Sequence, residues 1–251
     1  MNRDKLLTAI NEKLDAARIK DACPNGLQVE GREEVAKVIV SVSASEKLFK
    51  EAATRKADMI IVHHGLFWNN ASRVVRGSMK RRLNTLLQND ITLAAYHLPL
   101  DKHNELGNNI QLAKLLGLEN ISSFGDYKGV DIGWVGNLTT GISPEEFQKK
   151  VTEICNGDVV RYGAGKSTIS KVAIVSGGAA DCVYEAAIDG VDAFITGEVS
   201  EFVVRFAEEE SLHYYAAGHY ATERFGVKAL GEWIASNFNL EVTFVDLPVP
   251  V

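Results

Sequence analysis

The chain is short of several residue types. Its 251 residues include three cysteines, five prolines, three methionines and three tryptophans. Cys23, Cys155 and Cys182 form no Cys-x-x-Cys pair, which argues against a disulfide framework and points to a reducing compartment. No stretch approaches the ~20 apolar residues that a membrane span needs, so no membrane partner is expected. Positive charge is not in excess either. Lys and Arg number 27 against 33 Asp and Glu, a net charge of −6, which speaks against a surface that coats nucleic acid. The opening MNRDKLLTAINEKLD reads as an amphipathic helix beginning at Asp4 rather than as a signal peptide. Cytoplasmic placement is the expectation. What is present is ordinary for a globular protein, with 46% hydrophobic and 24% charged residues and ample length for a core.

Periodicity alternates between strand-like and helical runs. KVIVSVSA (37–44), SEKLFKEAATRK (45–56) and MIIVHH (59–64) are followed by GSMKRRLNTLLQND (77–90), ITLAAYH (91–97) and NNIQLAKLLGL (108–118). Such alternation predicts βαβ units and a mainly parallel sheet covered by helices. The second half repeats the theme in KVAIVSGG (171–178), VDAFITGE (191–198) and SLHYYAAGH (211–219), with helices between and after them. At an offset of 134, Lys37, Val38, Glu51, Ala52, Ala53, Asp58 and Ile61 fall on Lys171, Val172, Glu185, Ala186, Ala187, Asp192 and Ile195. At an offset of 122, His97 falls on His219 and Asp101 on Glu223. The expected architecture is therefore α/β, two similar lobes from an internal duplication, each a mainly parallel sheet flanked by helices. Gly125, Gly129 and Gly133 loosen the chain between them, so the lobes are set at 1–125 and 126–251, with the C-terminal segment free to pack back on the first. Ser143-Pro-Glu-Glu146 predicts a capped helix start.

The stretch IIVHHGLFW (60–68) ends an apolar strand in two adjacent histidines, in a chain with only six. Ligands collect beyond the carboxyl ends of strands in open α/β sheets. His63, His64, His97, Asp101, Glu198, His219 and Glu223 all lie at such ends. Successive strand side chains point to opposite faces, so one ion would not suit both His63 and His64. Two neighbouring divalent cations suit them better, with His63, His64 and His219 giving nitrogen donors and Asp101 and Glu223 giving oxygens. Such a mixed set accepts Zn, Mn, Fe or Co. His97 is read as an orienting group or acid/base, and is the catalytic candidate. Glu198 either adjoins the site or caps a helix. His103 either adjoins the site or faces solvent from a loop.

Other signals are weaker. GAGKST (163–168) lacks the first glycine of a phosphate-binding loop, where Val160 stands, and precedes a strand instead of following one. Ser176-Gly-Gly178 is read as a turn before it is read as a phosphate cradle. Arg73, Arg76, Lys80, Arg81 and Arg82 form either a solvated face or a phosphate-facing rim. Phe67 and Trp68 either pack in the core or stack a flat base.

Taken together, CPNGLQVEG (23–31), IIVHHGLFW (60–68), YHLPLDKHNELGNN (96–109), ITGE (195–198) and GHYATE (218–223) resemble the motifs of the GTP cyclohydrolase I type 2-like family, also called the NIF-three-like family of dinuclear metal proteins. The resemblance runs nearly end to end. It implies two similar α/β lobes, ligation of two metal ions by His63, His64, Asp101, His219 and Glu223, and a homo-oligomer in the form of a ring-shaped hexamer. It also implies a small-molecule substrate, a guanine nucleotide whose ring is opened by hydrolysis. A non-catalytic metal-binding or regulatory assembly protein and a metal-dependent phosphoesterase are the alternatives.

Overall fold

The computed structural model describes residues 1–250. Along the first part of the chain run α1 (Arg3–Lys13), β1 (Gly26–Val29), β2 (Lys37–Ser43), α2 (Glu46–Thr54), β3 (Met59–His64), α3 (Gly77–Gln88), β4 (Thr92–Ala95), α4 (Leu98–Lys102) and α5 (Asn108–Leu116). There follow β5 (Leu118–Tyr127), β6 (Val130–Ile142), α6 (Pro144–Cys155), β7 (Val160–Tyr162), β8 (Ile169–Ile174), α7 (Val183–Ile188) and β9 (Ala193–Thr196). The last elements are α8 (Glu201–Glu209), β10 (His213–Ala216), α9 (His219–Thr222), α10 (Arg224–Phe238) and β11 (Glu241–Phe244). Among the described residues, no helix is long and apolar enough to cross a membrane.

Two compact units emerge. The first comprises Met1–Leu100 and Gly226–Leu247; the second comprises Asp101–Phe225 and the residues from Pro248 on. The dividing points therefore fall inside α4 and just after the start of α10. Gly125 and Gly129, from which the sequence suggests a boundary near 125, instead shape the β5–β6 hairpin, with Phe124 opposite Gly133 and Tyr127 opposite Val130. The residues from Gly226 to Leu247 belong with the first unit because β11 adds to its sheet alongside β2.

The first sheet has the order β1-β4-β3-β2-β11. β4, β3, β2 and β11 are parallel, and β1 runs antiparallel at the edge. The second sheet has the order β5-β6-β8-β9-β10-β7, with β8, β9 and β10 parallel at its centre. Antiparallel strands β6 and β5 extend it on one side and β7 on the other. Central β3 is buried along MIIVH, as a strand covered on both faces must be. Helix starts follow the local chemistry. The Ser45 side chain accepts the Leu48 N–H at 3.1 Å, and Ser143 with Glu146 forms the reciprocal capping box expected from sequence.

The centres of the two units repeat one register. Val38, Ile39 and Val40 stand opposite Met59, Ile60 and Ile61; 134 residues later, Val172, Ala173 and Ile174 stand opposite Ala193, Phe194 and Ile195. One latch recurs as well. Asp58 accepts the N–H groups of Ala36 and Lys37, both at 2.9 Å, and pairs with Arg32 at 2.9 Å. Asp192 accepts those of Ser170 at 2.9 Å and Lys171 at 2.8 Å, and pairs with Lys166 at 2.7 Å. This is the pattern an internal duplication would leave. The third strands differ from the sequence alignment by one residue. Ala95 pairs with Val62 and Ala216 with Thr196, an offset of 121 rather than 122. The reason is visible at the strand ends. The Gly218 N–H carries the ladder one step further to the Gly197 carbonyl, whereas the His97 N–H turns away to the Asn25 side chain.

Candidate metal centre

In the first unit, β3 delivers His63 and His64 and the end of β4 delivers His97. Their ring centroids lie 4.6 Å (63–64), 4.9 Å (63–97) and 5.7 Å (64–97) apart. Each ring offers a nitrogen within 4.8 Å of one on each of the others, so the three form a group able to hold a metal ion. His63 is fully buried, which a polar ring tolerates only when it is hydrogen-bonded. Its Nδ1–H donates to the Tyr96 carbonyl at 3.0 Å. His64 Nδ1 shares a hydrogen bond of 3.0 Å with Ser43 Oγ. His97 Nδ1–H donates to Asp21 at 2.8 Å. Burial would raise Asp21, but the hydrogen bond and charge of His97, with further donors from Asn25 and Leu98, hold its pKa down at about 2.

Gly65 leaves room for the Gln28 side chain. A Cβ there would lie 2.3 Å from the Gln28 amide, and Gln28 Oε1 accepts the Leu66 N–H at 2.7 Å. Trp68 donates its indole N–H to the Gly65 carbonyl at 3.1 Å and stands edge-on to His97 at 5.1 Å. It thus both packs against the core and borders the histidines.

In the second unit, His219 opens α9 and Glu223 follows it. His219 Nε2 lies 3.0 Å from Glu223 Oε2, while its Nδ1 lies 2.7 Å from Glu198 Oε1. Burial alone would lower the His219 pKa, but the two carboxylates outweigh it and hold the ring up to about 9. His219 Nε2 and Glu223 Oε2 are close enough to be offered together to one cation, and both are of the donor types that Zn, Mn, Fe or Co accept. Asp101 is buried; its Oδ1 accepts from Asn108 at 2.8 Å and from Ser176 Oγ at 3.3 Å. Ser176 brings Asp101 alongside Glu223, because a Cβ on the next residue, Gly177, would lie 2.1 Å from Glu223 Oε1.

Other residues singled out in the sequence have these partners. Glu198 accepts from His219 Nδ1 at 2.7 Å, and the residue at the N-cap of α8 is Ser200. His103 Nδ1 accepts the N–H groups of Glu105 and Leu106 and closes the turn before α5. Ser176-Gly-Gly178 is a turn: the N–H groups of Ser176, Gly177 and Ala179 go to Asn109, Thr222 and Thr196. Lys166 of GAGKST is bound to Asp192. In the basic cluster, residues 73–76 and Lys80 are exposed and Arg81 pairs with Glu46 at 2.8 Å. Asp21, Asn25 and Gln28 escaped the reading of the sequence. Only the CPNGLQVEG motif touched that segment, and nothing in its spacing tells which strand ends it meets.

The chain was compared with known proteins. The sequence model of a family described as Duf34/NIF3 (NGG1p interacting factor 3) matches residues 1–249. A protein of Escherichia coli (strain K12) named GTP cyclohydrolase 1 type 2 homolog is 47% identical over 251 residues, covering 100% of both chains. The solved structure of protein ybgI, of unknown function, is 46% identical and superposes with a TM-score of 0.96 over 100% of each chain. That of TTHA1606 from Thermus thermophilus is 35% identical, with a TM-score of 0.91 over 100% of each chain. With matches of this extent and identity, the chain belongs to the Duf34/NIF3 family.

Proposed function

We propose that the chain is a metal-dependent hydrolase in which His63, His64, Asp101, His219 and Glu223 ligate two divalent cations (Zn, Mn, Fe or Co), with His97 as the proton carrier. One observation carries this reading. All four histidines present Nδ1 to an oxygen of the protein: the Tyr96 carbonyl, Ser43, Asp21 and Glu198. Rings held that way leave Nε2 as the working nitrogen, turned to a cation at His63, His64 and His219 and to a proton at His97, and such supporting oxygens are the usual companions of metal-ligating histidines.

Bound cations would acidify water and stabilise a developing oxyanion. The chain's own residues do the rest. Asp21 and Asn25 hold His97 by its ring and its backbone N–H, leaving Nε2 as the nitrogen that exchanges a proton. Trp68 walls one side of the three histidines. The name carried by the E. coli relative makes GTP the first substrate to try. In hydrolytic opening of its imidazole ring, water adds to the ring carbon and a C–N bond breaks. His97 Nε2 takes a proton from the adding water and delivers it to the departing nitrogen, and a second water then releases formate from the resulting formamide.

The test is incubation of metal-loaded protein with GTP while formate and the ring-opened product are measured. Turnover that disappears in His63→Ala/His64→Ala supports the proposal; no turnover above that variant overturns the GTP assignment. Turnover of p-nitrophenyl phosphate esters instead would make the site a phosphoesterase. Tight, exchangeable metal without turnover of nucleotides, phosphoesters or amides would leave a metal-binding regulatory protein. Assembly as a ring of six belongs to the same proposal and is read from the mass in solution.

A further inference from the structure

Residues 21–28 contribute none of the proposed ligands, yet they meet both strand ends of the first unit. Asp21 Oδ1 accepts from His97 Nδ1 at 2.8 Å and from the N–H groups of Ala22 at 2.6 Å and Cys23 at 3.3 Å. Its Oδ2 accepts from the Leu98 N–H and the Asn25 amide, both at 3.0 Å. Asn25 Oδ1 accepts the His97 N–H at 2.8 Å. On the other strand, Gln28 Oε1 takes the Leu66 N–H at 2.7 Å, while its Nε2 donates to the Pro24 carbonyl at 3.0 Å and to Cys23 Sγ at 3.3 Å. One loop thus ties the turn after His64 to the turn after β4.

We propose that Asp21 is the positioning residue of the three-histidine cluster. It fixes His97 as the tautomer protonated on Nδ1, so that Nε2 is the nitrogen turned to use, while Asn25 and Gln28 set its spacing from His63 and His64. The side chain of Asp21 is only 2% exposed, and every neighbour named above is a donor. An ionised carboxylate satisfies five donors with two oxygens. An amide does not. In Asp21→Asn the NH2 faces either the Leu98 and Asn25 donors or His97 Nδ1 with the Ala22 and Cys23 N–H groups. The first placement leaves buried donors opposed; the second forces His97 to accept on Nδ1 and carry its proton on Nε2.

The experiment is two-bond proton–nitrogen correlation of the full chain labelled with 15N-histidine, free of metal and at a pH where the ring is neutral, with His97→Gln for assignment. Wild type is expected to show His97 protonated on Nδ1. Asp21→Ala, which leaves no side-chain acceptor facing Nδ1, should reverse the major tautomer or abolish the preference, and Asn25→Ala should keep the wild-type tautomer. His97 protonated on Nε2 in wild type, or an unchanged tautomer in folded Asp21→Ala, overturns the proposal. Should Asp21→Ala fail to fold, the wild-type and Asn25→Ala spectra still decide. The proposal rests on the metal-hydrolase reading only for what His97 then does. The tautomer is measured without metal or substrate, so failure of one is separable from failure of the other.

Discussion

The two units share a scaffold and differ in what stands at its ends. Both pair their first two parallel strands in the same register, and both lock the chain entering the first strand with a buried aspartate and a basic partner. Where the first unit has His63 and His64, the second has Gly197 and Glu198. Where the chain leaving β4 reaches His97, held by Asp21, the chain leaving β10 keeps the ladder one residue further before His219 opens α9. The contrast separates two kinds of residue. Groups present in both units at the same register, such as Asp58 and Asp192, belong to the fold. Groups present in one and replaced in the other belong to the chemistry. Glu198 shows how such a replacement works: at the position of His64 it no longer presents an imidazole but holds one, that of His219.

Breaking a donor in either unit tests the contrast hardest. His63→Ala and His219→Ala should each lower cation retention by at least ~100-fold, a larger loss than removing a group that only supports a ligand. Metal content after dialysis reads it, and undiminished retention in one variant would restrict the site to the other unit.

The next effect is on stability. Asp58→Ala and Asp192→Ala each leave two backbone N–H groups without their acceptor, at a cost of about 2–4 kcal/mol by urea unfolding. Equal costs would confirm that the latches are equivalent; a markedly smaller one at Asp192 would break the equivalence. The pH dependence follows from direction. Burial pushes the Asp192 carboxyl up, but Lys166 and the N–H groups of Lys171 and Ser170 bring it below the ordinary value. A carboxylate with a lowered folded pKa stabilises above its unfolded pKa, and that contribution is lost as pH falls through the folded value. Wild type should therefore lose stability in acid below about pH 4, where Asp192→Asn has less left to lose.

Glu198→Gln is expected to weaken cation binding by about 10-fold to 100-fold while leaving the fold intact, because the amide still accepts from His219 but lacks charge. Competition with a metal-binding dye measures this. Least of all, Arg32→Ala and Lys166→Ala should cost at most about 1 kcal/mol, since both cations are substantially exposed. A larger loss at Arg32 alone would show that the first latch leans on its partner more than the second.

Much of this was legible beforehand. MIIVHH (59–64) is β3 to the residue, and the capping box at Ser143 starts α6 where it should. Local signals sufficed there because apolar periodicity and cap chemistry act within a few residues. The short strands β1 and β11 and the long β5 were not read. GLQV and EVTF are four residues each, too few for periodicity to speak, and β5 carries a bulge and, at Gly125, a left-handed backbone within the strand. Among the site residues, His63, His64 and His97 could be gathered from their strand ends. Asp21 could not, because 76 residues separate it from the ring it holds.

Composition, periodicity and the repeated register were enough to determine an α/β chain with donor-bearing strand ends, since those properties are written in neighbouring residues. Only the tertiary structure decided that Asp21, Asn25 and Gln28 tie those ends together and that Glu198 serves His219. It also decided that the residues from Gly226 to Leu247 return to the first sheet. Hydrogen bonds between distant segments depend on where the folded backbone leaves each donor and acceptor, and no spacing along the chain encodes that.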